Sequence, residues 1–203
     1  MRKRIHQPCK FGKNESGFSL IEVLISMLVM TTGLLGLLGS LGLAMAATQN
    51  SEELNIAKQL ANEALESILT ARTTAQVQWA QIANGTCSVG QNCGLFLSGP
   101  QPIDNPGVDG IIGTSDDAAA GAQVLDSPGP SGIIVTPAGQ PCAAPDVCTS
   151  LSNFTRTIAI SQYAGSGTPD PNLNTIVITV TYTNPQFKAP ESYVLQTLVS
   201  EYR

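Results

Sequence analysis

The sequence predicts an α+β fold. A long N-terminal helix, apolar enough to span a membrane over its first half, packs its second half on a C-terminal antiparallel sheet, with a long loop-rich insertion between them. Three observations carry this expectation. No charged residue lies between Glu22 and Glu52. Residues 57–69 place alanine, leucine and isoleucine at helical spacing, and residues 154–202 alternate apolar and polar side chains.

Residues 1–17 read as a basic leader. Arg2, Lys3, Arg4, Lys10 and Lys13 stand against Glu15, a net charge of +4; the remaining five basic and 14 acidic residues give −9. Basic residues beside an apolar helix stay on the cytoplasmic side, which puts the acidic bulk outside. That acidity argues against a nucleic-acid partner, whose phosphates need basic groups.

Residues 18–47 form the apolar first half of the long helix. Val23 to Ala47 would span about 37 Å as a helix, against a hydrocarbon core of about 30 Å. Glu22 sits at the start of this run, where a carboxylate costs at least about 2 kcal/mol, so it needs a partner. Gly33, Gly36, Gly39 and Gly42 recur every three residues. Glycine weakens a helix yet lets another backbone approach closely.

Residues 48–83 continue as an amphipathic helix. Ala57, Leu60, Ala61, Ala64, Leu65, Ile68 and Leu69 form the stripe that packs on a sheet. Asn84-Gly85 reads as the stop signal, with Trp79 and Ile82 as core contacts just before it.

Residues 84–150 are rich in Gly, Pro, Ser and Ala and read as loops with two local cysteine pairs. Cys9 belongs to the leader; the others fall as Cys87-x5-Cys93 and Cys142-x5-Cys148. Outside the cytoplasm such thiols oxidise. Four cysteines allow three pairings, and the matched spacing favours the two local ones. A zinc site is disfavoured, because its ligands usually lie two to four residues apart and the only histidine, His6, is in the leader.

Within that insertion, Asp104-Asn105-Pro106-Gly107-Val108-Asp109-Gly110-Ile111-Ile112-Gly113-Thr114-Ser115-Asp116-Asp117 partly fits a calcium loop. Starting at Asn105, Asp109 falls at position 5, Gly110 at 6, the Ile111 carbonyl at 7 and Asp116 at 12. Gly107 at position 3 supplies no side-chain ligand, and Asp104 and Asp117 substitute if the register slips by one. The competing reading is a solvated turn cluster, since Asp-Gly and Asn-Pro form turns on their own. Calcium is the one cofactor the sequence admits, and none is required.

Residues 131–203 read as the antiparallel sheet. Ile133-Ile134-Val135 is short, while 154–163, 175–182 and 193–202 alternate, separated by Gly165-Ser166-Gly167 and Asn184-Pro185 turns.

The hexapeptide Gly17-Phe18-Ser19-Leu20-Ile21-Glu22, after a basic leader and before a long apolar helix, resembles the class III prepilin signal of type IV pilins and type II secretion pseudopilins. The resemblance implies cleavage after Gly17 and N-methylation of Phe18 by a prepilin peptidase and methylase. It implies that Glu22 serves assembly, pairing with the freed amino group of a neighbouring subunit. It also implies residence in the bacterial inner membrane before assembly, with the C-terminal domain periplasmic, then contact with other pilin subunits through the N-terminal helix and a place in an extracellular fibre. Thr31-Thr32-Gly33-Leu34-Leu35-Gly36-Leu37 resembles the minor pilins of the PilV type. Major pilins carry a proline in this region; here the glycines could supply similar weakness.

Two plainer readings compete. An ordinary secretory signal could be cut at Ala44-Met45-Ala46, but its apolar region is about 7–15 residues and carries no carboxylate. A simple single-pass anchor needs neither the Gly-Phe junction nor Glu22. No phosphate loop, nucleophile elbow or histidine after the leader points to an enzyme. The sequence therefore reads as a minor pilin. The alternatives are a type II secretion pseudopilin of the same fold and a pilus-tip adhesin using the 84–150 loops.

Overall fold

The computed structural model describes residues 17, 19–90, 92–127, 134–136, 147–165, 167–184 and 189–202, with the backbone alone at 125–127, 134–136 and 147–149. The chain divides into two compact units, Met1–Ala47 and Thr48–Arg203. The first unit holds the apolar part of helix α1 (Leu20–Thr73). That part is long and apolar enough to cross a membrane, and none of its apolar window is buried.

In the second unit, α1 buries Ile56, Ala57, Leu60, Ala61, Ala64, Ile68 and Ala71. Four of these seven are alanines, which share one buried cluster with the sheet's apolar side chains. Leu65 and Leu69 lie at the margin of the same core.

The helix ends at Thr73, ten residues before the end expected from Asn84-Gly85. The Ala75 N–H donates to the Arg72 carbonyl at 3.1 Å and the Gln76 N–H to the Ala71 carbonyl at 2.9 Å. These are the two bonds of a Schellman stop, with Ala75 at φ 59° in the position that glycine usually takes. The left-handed conformation costs an alanine roughly 1–2 kcal/mol. Buried Val77, two residues on, anchors the chain that has turned. Arg72, in the last turn, donates to the carbonyls of Ser200 and Tyr202 and ties this end of the helix to the C-terminus. A short 3-10 turn (Trp79–Gln81) follows. Ile82 is buried and Trp79 packs at the core margin, as the sequence predicts for both.

The main sheet comprises β1 (Gln101–Pro102), β5 (Phe154–Tyr163), β6 (Asp170–Thr183) and β7 (Pro190–Ser200), in the order β1-β5-β6-β7 and antiparallel throughout. Phe154, Arg156, Ile158, Ile176, Ile178, Val180, Tyr182 and Val199 are buried, and their apolar members form one core with the helix stripe. Phe154 and Tyr182 are cross-strand partners with ring centroids 5.5 Å apart. The insertion is more structured than its composition suggests. It holds the four-residue helix α2 (Asp117–Ala120) and a second antiparallel sheet of β2 (Val124–Ser127), β3 (Ile134–Thr136) and β4 (Val147–Ser150), in the order β3-β2-β4.

Asn84 does not end a helix. Its Nδ2 donates to the Ile158 carbonyl at 2.8 Å and its Oδ1 accepts the Ile160 N–H at 2.7 Å. One side chain thus extends the pairing of β5 beyond the two residues of β1.

Candidate functional site

The N-terminal segment supplies the first candidate site. Gly17 is exposed; Phe18 lies outside the described residues. The Ser19 carbonyl accepts the N–H groups of Glu22 at 3.0 Å and Val23 at 3.3 Å, so Ser19 opens the helix. Glu22 then stands in the first helical turn. Ser19-x-x-Glu22 has the spacing of a capping box, and an acidic group in the first turn complements the helix dipole. Side chains from Leu20 to Met45 are exposed, Leu20, Met30 and Leu43 among the most. A Cβ added at Gly33, Gly36, Gly39 or Gly42 would meet nothing within 4 Å, so these glycines answer no need for space within the unit.

The second candidate is the 104–117 loop. Asp109, Asp116 and Asp117 each bring a carboxylate oxygen within 4.8 Å of the others. Gly107 allows this closure, since a Cβ there would lie 2.1 Å from Asp116 Oδ2. Hydrogen bonds occupy most of the carboxylate oxygens. Asp109 Oδ1 accepts the Ile111 N–H at 2.8 Å. Asp116 accepts the Thr114 hydroxyl at 2.6 Å and the Asp109 N–H at 3.3 Å. Asp117 accepts the Gly107 N–H at 3.1 Å and the Gly113 N–H at 2.6 Å. Of the sequence-expected ligands, Asp109 and Asp116 come together and Asp117 joins them. Asn105 turns away, its N–H and Nδ2 both donating to the Gly121 carbonyl. The Ile111 carbonyl accepts the Thr114 hydroxyl at 3.2 Å.

The electrostatics follow from burial and these bonds. Burial pushes the Asp109 carboxyl up; the Ile111 N–H opposes this and the Asp116 charge adds to it. Burial also acts on Asp116, but the Thr114 hydroxyl and backbone N–H groups outweigh it and hold the carboxyl below its ordinary value. Asp117, 7% exposed, is held above its ordinary value by burial, against the Gly113 and Gly107 N–H groups. Arg156, 3% exposed on the sheet's inner face, lies near enough to Glu63, Asp117 and Asp104 to feel their charges. Its one side-chain hydrogen bond among the described residues runs from Nη1 to the Leu60 carbonyl at 3.4 Å. The period-two pattern places Arg156 on the inner face; the carboxylates whose charges it feels, Glu63 first and then Asp117 and Asp104, are far away in sequence.

Cys87 and Cys93 form a disulfide, with Cα atoms 6.0 Å apart. Cys142 and the side chain of Cys148 lie outside the described residues. The bridge closes the loop in which the Gly85 N–H donates to the Phe96 carbonyl and the Cys87 N–H to the Gly94 carbonyl.

No curated protein and no solved structure matches the chain. Residues 12–38 match the prokaryotic N-terminal methylation motif, a match that covers Gly17, Phe18 and Glu22 and runs into the exposed apolar helix. The chain therefore carries the N-methyl prepilin motif of type IV pilin-like proteins at the head of a helix able to cross a membrane.

Proposed function

We propose that the chain is a minor pilin of the PilV type, a structural subunit that helps to assemble or modify a type IV pilus. A prepilin peptidase cuts after Gly17 and methylates Phe18. The helix anchors the subunit in the inner membrane with its acidic domain in the periplasm, then packs among other pilin helices in the fibre. The observation that carries this reading is the methylation motif continuous with an apolar helix that buries nothing within its own unit. The role is structural rather than catalytic. Deleting the gene should lower surface pili, and the chain should be found by immunoblot in sheared fibres. Normal pili with lost export of secreted enzymes would assign it to type II secretion instead. Normal pili that fail only in attachment would favour the tip-adhesin reading.

We also propose that the 104–117 loop takes calcium weakly, at Asp109, Asp116 and Asp117. The three carboxylates already accept hydrogen bonds from the loop, so an ion must compete with those donors. Extracellular modules bind calcium at roughly 0.1–1 mM, so the titration must reach several millimolar. Binding stabilises the fold by RT ln(1 + [L]/Kd), and Tm is expected to rise with calcium and not with sodium. Equal Tm values in excess calcium and excess chelator would leave the loop a turn cluster.

A further inference from the structure

A cleft of about 460 Å³ opens between the Trp79–Gln81 turn and the last residues of β5. Trp79, Ile160, Ser161, Gln162, Pro171 and Asn174 line it, and no charged side chain does. Small-molecule sites of roughly 300–1,000 Å³ pair an apolar lining with a few convergent polar groups.

Strand register brings two amides here. Gln162 and Asn174 are Cα partners across β5 and β6, so their side chains share a face. The register then shifts between Gln162 and Tyr163, an irregularity of the kind that re-aims side chains at sheet ends. Asn174 is 6% exposed. Its Nδ2 donates to the Ile82 carbonyl at 2.9 Å, and among the described residues its Oδ1 accepts no hydrogen bond. A nearly buried amide with its donor spent and its acceptor unpaired suits a ligand hydroxyl. Across the cleft stands the chain's only tryptophan. Its indole N–H donates to the Pro171 carbonyl at 2.9 Å, which fixes the ring, and the Gln78 N–H, donating to Gln81 Oε1 at 3.0 Å, braces the turn that carries it.

We propose that this cleft binds a neutral sugar ring. The C–H face of a pyranose complements the negative face of an indole. Its hydroxyls both donate and accept, as planar amides do. Phosphate and carboxylate ligands would need a basic group, and hard cations a carboxylate; the lining has neither. An extended peptide would need a free strand edge, and Asn84 already occupies that of β5 at Ile158 and Ile160. The proposal stands whichever machine takes up the N-terminal helix.

The test uses the full chain in a detergent without a sugar headgroup, because such a headgroup would compete. Trp79 is the only indole, so its fluorescence reports this cleft alone. Glucose, galactose and N-acetylglucosamine are titrated in turn. At least one should give a saturable change with Kd of about 1 mM. Gln162→Ala, at an exposed position that tolerates truncation, should weaken binding about tenfold. Trp79→Phe, followed by saturation-transfer NMR on the sugar, should weaken it similarly. No saturable change up to about 50 mM for all three sugars would overturn the proposal. So would an unchanged Kd in Gln162→Ala, or glucuronate binding more tightly than glucose.

Discussion

Glu22→Gln is expected to be cleaved normally yet to fall at least about tenfold in sheared fibres, because a loss of only about 1.4 kcal/mol in assembly produces that ratio. The argument is electrostatic. In lipid an uncompensated carboxylate costs a few kcal/mol, and the freed amino group of Phe18 on an adjacent subunit is the natural cation. Glutamine is the informative replacement because Glu22 combines a charge with the position that a capping box would use. A capping box accepts either glutamate or glutamine at its third helical position, so Glu22→Gln keeps the helix start that Ser19 opens and removes only the charge. Glu22→Ala removes both. If alanine blocks assembly while glutamine assembles as the wild type does, Glu22 acts as a cap and the charge-pairing account fails.

Asp117→Ala is expected to destabilise the second unit by about 3 kcal/mol, the scale for leaving buried N–H donors without their acceptor. The substitution leaves the N–H groups of Gly107 and Gly113 unpaired. For a unit of this size the Tm should fall by roughly 10 °C. The pH dependence carries a definite sign. Burial holds the folded carboxyl above its unfolded value, so the stability it contributes is fully present below the unfolded pKa and declines as pH rises through the folded one. The penalty of Asp117→Ala should therefore be greater near about pH 4 than near about pH 7. Thermal melts in chelator at the two pH values check this; a penalty that grows with pH would contradict it. Asp117→Asn keeps one oxygen acceptor and should cost less.

These two residues differ in how the sequence announces them. Glu22 is legible because everything that defines it is local: a glycine before it, a serine three residues earlier and an uncharged run after it. The same locality makes the helix stripe from Ala57 to Leu69 and the alternation of β5, β6 and β7 readable. Asp117 reads from the sequence only as a substitute calcium ligand, because its donors Gly107 and Gly113 meet it only when the loop closes. The helix end escapes sequence reading for a different reason. Stop rules look for glycine, whereas here Ala75 takes the left-handed position and Val77, two residues on, is buried. Asn84 has the local signature of a turn former, and its edge-pairing with Ile158 and Ile160 needs a strand more than 70 residues away in sequence. Of the second sheet, only the Ile133-Ile134-Val135 run reads as a strand, and the sequence assigns it to the main sheet; the structure pairs β3 with β2 instead, and β2 and β4 lie in a stretch whose Gly, Pro and Ser content argues for loops.

The central claim is that the Gly17–Phe18 junction is the start of the mature subunit. Intact-mass and N-terminal peptide mass spectrometry of the chain from native membranes tests it directly. The account predicts a chain that lacks residues 1–17 and begins with N-methylated Phe18, and full-length precursor for Gly17→Val. A mature terminus at Ala47 or Thr48, or an unprocessed chain that still begins at Met1 in the presence of active peptidase, would contradict it.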